Sequence, residues 1–208
     1  MSAQPPRHFS MLRTFRPADL VTLLNGFCGA GALLAFMRFC VDQDKAFFWL
    51  GTALLPIAFV MDALDGQIAR KTGKGSPLGK DLDSLADIVS FGVAPAGMAF
   101  AAGMRGGLDA LCLIFFVGCG ISRLARFNVT AAELTGPAGK VTHFEGLPIP
   151  TSLLQVVALA ILAGTGHWQE QLPLGSATLG GFRLHPWTLL YVLHGGGMIS
   201  KTLRIPKP

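Results

Sequence analysis

The 208-residue sequence predicts an all-α integral membrane protein with six transmembrane helices and a short N-terminal amphipathic helix, organised as one domain over residues 1–208. Apolar residues make up 51% of the chain and charged residues only 14%, which leaves too little polar surface for an ordinary water-soluble domain. Six stretches are apolar over much of the roughly 20 residues that a helix needs to cross a bilayer. The positions of Lys and Arg between these stretches follow the pattern of a membrane protein.

The elements are predicted in chain order. Residues 1–18 intersperse four apolar side chains, Phe9, Met11, Leu12 and Phe15, with arginines, which is typical of a juxtamembrane helix on a membrane surface. The predicted spans lie near 19–41, 46–70, 84–104, 107–125, 150–166 and 185–200, the last being short and rich in glycine. Residues 167–184 are polar and glycine-containing and predict an exposed loop.

Lys and Arg segregate to one side of this arrangement. With the N-terminus inside, thirteen of the 17 basic residues fall on the cytoplasmic side and four on the other. Both termini are therefore predicted to be cytoplasmic, in an inner membrane or the endoplasmic reticulum. The net charge of +5 is spread in short clusters between apolar stretches, so we expect anionic lipid headgroups and phosphorylated substrates as partners, and no nucleic acid.

Aspartates inside apolar helices are costly and indicate function. Asp62 and Asp65 share one helix face with Gly66, Ala69 and Arg70, because these positions are spaced at i, i+3, i+4, i+7 and i+8. Asp83 and Asp87 share a face of the next helix at i and i+4, and the short loop between the two helices makes them neighbours. The sequence thus predicts four converging carboxylates at the cytoplasmic face.

Converging carboxylates repel one another, and binding cations is the usual relief. Oxygen ligands suit hard cations such as Mg²⁺, Mn²⁺ or Ca²⁺, and two such ions could hold a pyrophosphate. Gly66 and Gly79 leave room for a base or phosphate, while Arg70, Ser76 and Lys80 offer donors to a diphosphate. The alternative is that the acids only pair with nearby Arg and Lys at the membrane surface, which leaves the glycines unexplained.

The motif D-x2-D-G-x2-A-R-x8-G-x3-D-x3-D resembles the signature of the CDP-alcohol phosphotransferase family and is matched here at every fixed position. The resemblance implies a six-helix membrane fold, a homodimer, and two divalent cations held by Asp62, Asp65, Asp83 and Asp87. It makes Asp87 the general base as well as a ligand. It assigns the CDP group to Asn25, Gly66, Ala69, Arg70, Ser76, Gly79 and Lys80.

The stretches 80–96, 119–130, 143–152 and 194–208 are similar to those of family members that use CDP-diacylglycerol and L-serine. Serine is a zwitterion, so Arg123 and Arg126 are expected to bind its carboxylate, and Asn128 or Glu145 its ammonium group. The arginines could instead contact anionic lipid, and Glu145 could form a loop salt bridge. Inositol and glycerol 3-phosphate remain alternative acceptors. A cation transporter or channel is the alternative of another class, disfavoured because the acids cluster at one face.

Overall fold

The computed structural model describes residues 15–72, 77–130, 143–200, 202 and 204–206. Most of the predicted N-terminal amphipathic helix, residues 1–14, lies outside the described residues, as does Ser76. The described chain is mostly helical, as the sequence predicted.

The helices, in chain order, are α1 Pro17–Asp42, α2 Lys45–Thr72, α3 Pro77–Asp87, a π-helical stretch Ile88–Val93, α4 Ala94–Ala102, α5 Gly107–Thr130, α6 Leu153–Gly164 and α7 Leu189–Ile199. Short 3₁₀ turns lie at Ile149–Ser152, Gln169–Gln171 and Pro186–Thr188. Four three-residue strands complete the described elements: β1 His143–Glu145, β2 Ala177–Leu179, β3 Phe182–Leu184 and β4 Arg204–Pro206.

Four helical segments are long and apolar enough to cross a membrane: Pro17–Asp42, Lys45–Lys71, Leu78–Ala102 and Gly107–Thr130. The fifth predicted span is the shorter apolar segment Ile149–Gly164, and α7 has 11 residues. At 1.5 Å per residue α7 measures roughly 16 Å, about half the hydrocarbon thickness of a bilayer. Length and composition therefore support four of the six predicted spans.

The outer faces of the helices are apolar. Along α1 the exposed side chains include Leu20, Leu24, Phe27, Leu34 and Met37, while polar Thr22 and Asn25 are buried. A water-soluble helix has the reverse distribution, with its polar face outside. The arrangement is that of a helix facing lipid.

The third helical segment begins earlier than the predicted boundary of residue 84. Pro77 opens α3, and the helix continues through Asp87 into the π-helical stretch. Proline favours the first turn of a helix, while the polar residues that follow it lower the local hydropathy. The start was missed because hydropathy, rather than capping, marked the boundary.

Two antiparallel ribbons were not predicted. Strand β1 pairs with β4, and β2 pairs with β3 inside the predicted loop 167–184, where the strands are largely exposed as expected of a loop. The residues that follow the second ribbon bond to a buried aspartate near the start of α5. Asp109 is fully buried and accepts hydrogen bonds from the His185 backbone at 2.7 Å, the His185 ring at 2.6 Å and the Thr188 hydroxyl at 2.7 Å.

Helix α1 packs along α2 and crosses α3 and the π-helical stretch closely. A Cβ atom at Gly29 would lie 2.6 Å from the Ser90 Cα, so only glycine permits this approach. Close by, the Ser90 hydroxyl donates a 2.9 Å hydrogen bond to the Asn25 carbonyl. This crossing places the polar face of α1 against the aspartates of α2 and α3.

Candidate metal centre and active site

Three of the four predicted aspartates converge. Asp62 near the end of α2 and Asp83 and Asp87 on α3 each offer a carboxylate oxygen, and these oxygens all lie within 4.8 Å of one another. Asp87 is buried and the other two are half-buried. The chain thus concentrates negative charge between α2 and α3, as the i, i+4 spacing on α3 predicted.

Asp65 is held slightly apart from these three. The Thr22 hydroxyl donates to its Oδ2 at 2.6 Å. Its charge nevertheless acts on Asp62, Asp83 and Asp87. The fourth predicted carboxylate therefore belongs to the same electrostatic site but is positioned by α1.

Asn25 is fully buried against Asp87. Its amide nitrogen donates to Asp87 Oδ1 at 3.2 Å, and its own Oδ1 has no partner among the described residues. The sequence analysis assigned Asn25 to the CDP group, and the structure places it next to the predicted base. Helix α1 therefore contributes a donor to each end of the aspartate set, Thr22 to Asp65 and Asn25 to Asp87.

The donor set fits a divalent cation. Asp83 Oδ1 is buried and has no hydrogen-bond partner among the described residues, which is costly for a carboxylate oxygen. Clustered carboxylates with an unpaired oxygen are the ligands that Mg²⁺, Mn²⁺ and Ca²⁺ prefer. A bound cation would satisfy both the unpaired oxygen and the repulsion.

Gly66 and Arg70 lie on the α2 side, where the sequence predicted the nucleotide. Among the described residues, a Cβ atom at Gly66 would meet only the Arg70 guanidinium, at 4.0 Å. Ala69 is half-buried one turn away, and Gly79 lies on the opposite helix α3. Lys80 is directed elsewhere, since its ammonium group donates to the Asn128 carbonyl at 2.9 Å and lies 5.6 Å from the centre of the Phe127 ring.

The two predicted serine-binding arginines share a cavity of about 130 Å³ at the end of α5, lined also by Ser122, Phe127, Thr130, Met198 and Ile199. Arg123 is half-buried, and its Nε has no partner among the described residues. Its positive charge also lies close enough to attract Asp87. The cavity is therefore cationic and adjoins the aspartate group.

The other two predicted serine ligands are less directly placed. The Asn128 side chain exchanges hydrogen bonds with Ser84, at 3.0 Å from its nitrogen and 3.3 Å to its oxygen. Glu145 lies in β1, paired with Arg204 of β4, and its side chain is outside the described part of the structure. The structure thus brings Asn128 to α3 and leaves Glu145 as a prediction.

Thr22 and Ser84 are site residues that sequence reasoning missed. Thr22 precedes the notable Asn25 by one helical turn, and Ser84 follows Asp83 directly. Helical spacing from the recognised residues was the available signal. It was not sufficient, because threonine and serine also occur in apolar helices for packing alone.

Comparison with known proteins identifies similar proteins and a matching family. The family model described as CDP-alcohol phosphatidyltransferase matches residues 15–191. Three similar relatives are each named CDP-diacylglycerol--serine O-phosphatidyltransferase. The relative from Saccharomyces cerevisiae is 43% identical over 97% of this chain and 74% of its own length.

The two other relatives are more distant. The Mycobacterium leprae protein is 36% identical over 65% of this chain and 45% of its own length. The Methanocaldococcus jannaschii protein is 36% identical over 74% of this chain and 65% of its own length. The chain therefore spans less than two thirds of these two relatives and about three quarters of the yeast protein.

Proposed function

The chain belongs to the CDP-alcohol phosphatidyltransferase family, and on that premise we propose that it transfers the phosphatidyl group of CDP-diacylglycerol to the hydroxyl of L-serine and releases CMP. The observation that carries the proposal is the group of three carboxylates, Asp62, Asp83 and Asp87, whose ligand oxygens all lie within 4.8 Å of one another between α2 and α3. The names of the three relatives support serine as the acceptor.

Asp62, Asp65, Asp83 and Asp87 would hold two divalent cations, Mg²⁺ or Mn²⁺, with Ca²⁺ as a further possible occupant. The crowding of the carboxylates and the unpaired Asp83 oxygen support this assignment. When bound, such cations neutralise the diphosphate oxygens and stabilise the charge that develops on the leaving group.

Asp87 is the general base in this proposal. Its carboxylate accepts the proton of the serine hydroxyl while the serine oxygen forms a bond to the phosphorus that carries the diacylglycerol group. The bond from that phosphorus to the CMP oxygen breaks, and CMP leaves. Asn25 supports the role, because its donated hydrogen bond orients one oxygen of Asp87 and leaves the other for the substrate.

The CDP group would bind on the α2 side, along Gly66, Ala69 and Arg70, with Gly79 on α3 and Ser76, outside the described residues, as its other predicted contacts. The position of the Arg70 guanidinium beside Gly66, at 4.0 Å from a Cβ placed there, supports this assignment. The guanidinium can pair with phosphate oxygens in a fixed geometry. Asn25 contributes to this site indirectly, through its hydrogen bond to Asp87. Lys80 lies at the edge of the proposed CDP site, where its ammonium group donates to the Asn128 carbonyl.

The serine carboxylate would bind in the cationic cavity of Arg123 and Arg126. The unpaired Nε of Arg123 and its proximity to Asp87 support this, since the acceptor hydroxyl must reach the base. Asn128 or Glu145 would accept the serine ammonium group. The side-chain oxygen of Asn128, which accepts from Ser84, is available to a second donor because an amide oxygen has two lone pairs.

At the level of topology, we propose six membrane crossings in one domain over residues 1–208, with the N-terminal amphipathic segment on the membrane surface. Segment Ile149–Gly164 and α7 would be the fifth and sixth crossings. Both termini and the aspartate site would face the cytoplasm, and two copies would associate as a homodimer among membrane lipids. The distribution of Lys and Arg supports the orientation.

A comparison of acceptors tests the proposed reaction. Membranes from a host without this activity, expressing the chain, would receive CDP-diacylglycerol, Mn²⁺ and labelled serine, inositol or glycerol 3-phosphate. We expect labelled lipid from serine alone. An Asp83→Asn variant should lose the product, whereas Asp42→Asn should retain it, because Asp42 pairs with Arg38 at the surface far along α1. Product from inositol or glycerol 3-phosphate instead of serine would overturn the acceptor assignment.

A further inference from the structure

Thr22 is a buried threonine of α1 that lies outside the signature motif. Its side chain is 4% exposed. Its hydroxyl oxygen lies 2.6 Å from Asp65 Oδ2 and 3.1 Å from the carbonyl of Ala18, one turn back in α1. A threonine in an apolar helix commonly bonds to the carbonyl four residues back, so the contact that distinguishes Thr22 is the one to Asp65 on another helix.

The hydroxyl has a single proton for these two acceptors. The carboxylate is both closer and charged, and a distance of 2.6 Å is typical of a charge-assisted O–H···O⁻ hydrogen bond. The proton therefore goes to Asp65 whenever that group is ionised. This bond commits one oxygen of the Asp65 carboxylate to a donor on α1.

The position of Thr22 is fixed by the packing of α1. Asn25, one turn further on, donates to Asp87, and Ser90 donates to the Asn25 carbonyl at 2.9 Å. At Gly29 the backbone of α1 approaches Ser90 of the π-helical stretch closely. These contacts place Thr22 over Asp65, and turning both oxygens of Asp65 towards Asp62, Asp83 and Asp87 would cost the bond from Thr22.

We propose that Thr22 is a positioning residue that restricts Asp65 to offering one oxygen to a divalent cation, and thereby favours Mn²⁺ and Mg²⁺ over Ca²⁺. The inference rests on the proposed function, since it concerns the same metal site. Mg²⁺ takes six ligands in a near-octahedral arrangement, whereas Ca²⁺ takes about six to eight oxygens and often binds a carboxylate through both. Holding Asp65 Oδ2 on α1 favours the one-oxygen mode, because the Thr22 hydroxyl occupies one of the lone-pair directions of that oxygen and fixes the orientation of the carboxylate.

Thr22→Val tests the proposal, because valine has nearly the shape of threonine and lacks the hydroxyl. Purified full-length protein in detergent would be titrated with Mn²⁺, followed by electron paramagnetic resonance, and with competing Ca²⁺, in the absence of substrates. We expect Mn²⁺ affinity to fall about tenfold, as is typical when an outer hydrogen bond to a metal ligand is lost. We expect Ca²⁺ affinity to fall less, so that the preference shifts towards Ca²⁺.

Thr22→Ser keeps the hydroxyl and should retain the wild-type preference. Thr52→Val is the matched control. Among the described residues, the Thr52 hydroxyl bonds only to the Phe48 carbonyl, at 2.8 Å. This variant therefore measures the effect of losing a bond to the preceding helical turn. It should leave both metal affinities unchanged. Thr22→Ala removes the hydroxyl without a branched apolar group and gives the same measurement if the valine variant does not fold.

Metal binding by the Thr22→Val or Thr22→Ala protein with the wild-type ratio of Mn²⁺ to Ca²⁺ affinity would overturn this inference and leave the proposed reaction standing. A changed ratio in Thr22→Ser as large as in Thr22→Val would also overturn it, since the hydroxyl would then not be the cause. Failure of the wild-type protein to bind either cation would contradict the metal site of the proposed function as well.

Discussion

Asp83 shows at the scale of a residue how function opposes stability. One of its buried oxygens has no partner among the described residues, and its charge faces those of Asp62 and Asp65. Functional sites commonly retain such unfavourable groups because the ligand needs them. Removing the charge should therefore stabilise the protein wherever metal is absent.

We predict that Asp83→Asn raises the melting temperature of the purified protein in the presence of a chelator. The amide relieves the repulsion and can donate to a neighbouring carboxylate, an effect worth about 1 kcal/mol or more. With Mn²⁺ in excess the order should reverse, because the variant has lost a ligand. Differential scanning fluorimetry with and without metal measures both. A variant less stable than wild type in chelator would show that the aspartates do not repel one another.

The four aspartates could be predicted from sequence because helical spacing and their rarity in apolar segments both identify them. The role of Thr22 could not. Its partner Asp65 is 43 positions away, and Thr52 in α2 has the same surroundings in sequence without touching the site. The separate position of Asp65 was missed for the same reason, since it depends on which side chain of α1 faces that carboxylate.

At the scale of elements, the crossing of α1 with the π-helical stretch determines whether the site is assembled. The π-helical stretch begins directly after Asp87, and such irregular turns occur frequently at functional sites. Its Ser90 contacts both Gly29 and the carbonyl of Asn25. The geometry of Asp87 thus depends on a helix contact one to two turns away.

We predict that Gly29→Ala lowers turnover at least about tenfold. The new Cβ would lie 2.6 Å from the Ser90 Cα, so the helices must separate, at a cost of roughly 1–3 kcal/mol for overpacking. Separation moves Asn25 away from Asp87. Turnover and the melting temperature would be measured on purified protein.

Gly118→Ala serves as the control for this change. A Cβ atom at Gly118 would meet nothing within 4 Å among the described residues, so activity and stability should be unchanged. Equal activity of Gly29→Ala and wild type would contradict the claim that this crossing assembles the site.

Helix length explains which elements could be predicted. The four long apolar segments were identified because about 20 apolar residues have few other uses. Helix α3 began earlier than expected because its first turns are polar, and α7 is shorter than a full crossing. The ribbon of β2 and β3 lacks a strong alternation of apolar and polar residues. The hydrogen bond between Asp109 and His185, which follows the ribbon, joins residues 76 positions apart and could not be predicted from local sequence.

At the scale of the whole molecule, the aspartate site and the basic cavity lie at one end of the helices. Helix α2 ends and α3 begins at this end, and α5 ends there with Arg123 and Arg126. Asp109 lies at the start of α5, about 14 residues or roughly 21 Å from Arg123 along the helix. The distribution of Lys and Arg in the sequence and the position of the site therefore favour the same side of the membrane. This agreement could be predicted from the sequence, because both follow from the order of the helices along the chain.

The central claim is that this end of the molecule transfers a phosphatidyl group directly to serine, with Asp87 accepting the proton. CMP release and labelled phosphatidylserine would be measured in the same proteoliposomes for wild type and Asp87→Asn, together with Mn²⁺ and CDP-diacylglycerol affinities. We predict one CMP per labelled lipid in wild type, only with serine and Mn²⁺ present. Because Asp87 is also a metal ligand, turnover is compared at Mn²⁺ concentrations that saturate each protein, and there Asp87→Asn should lower both products about 100-fold or more while CDP-diacylglycerol affinity changes only a few-fold. Wild-type turnover by Asp87→Asn, or CMP release by wild type at the same rate without serine, would contradict the claim.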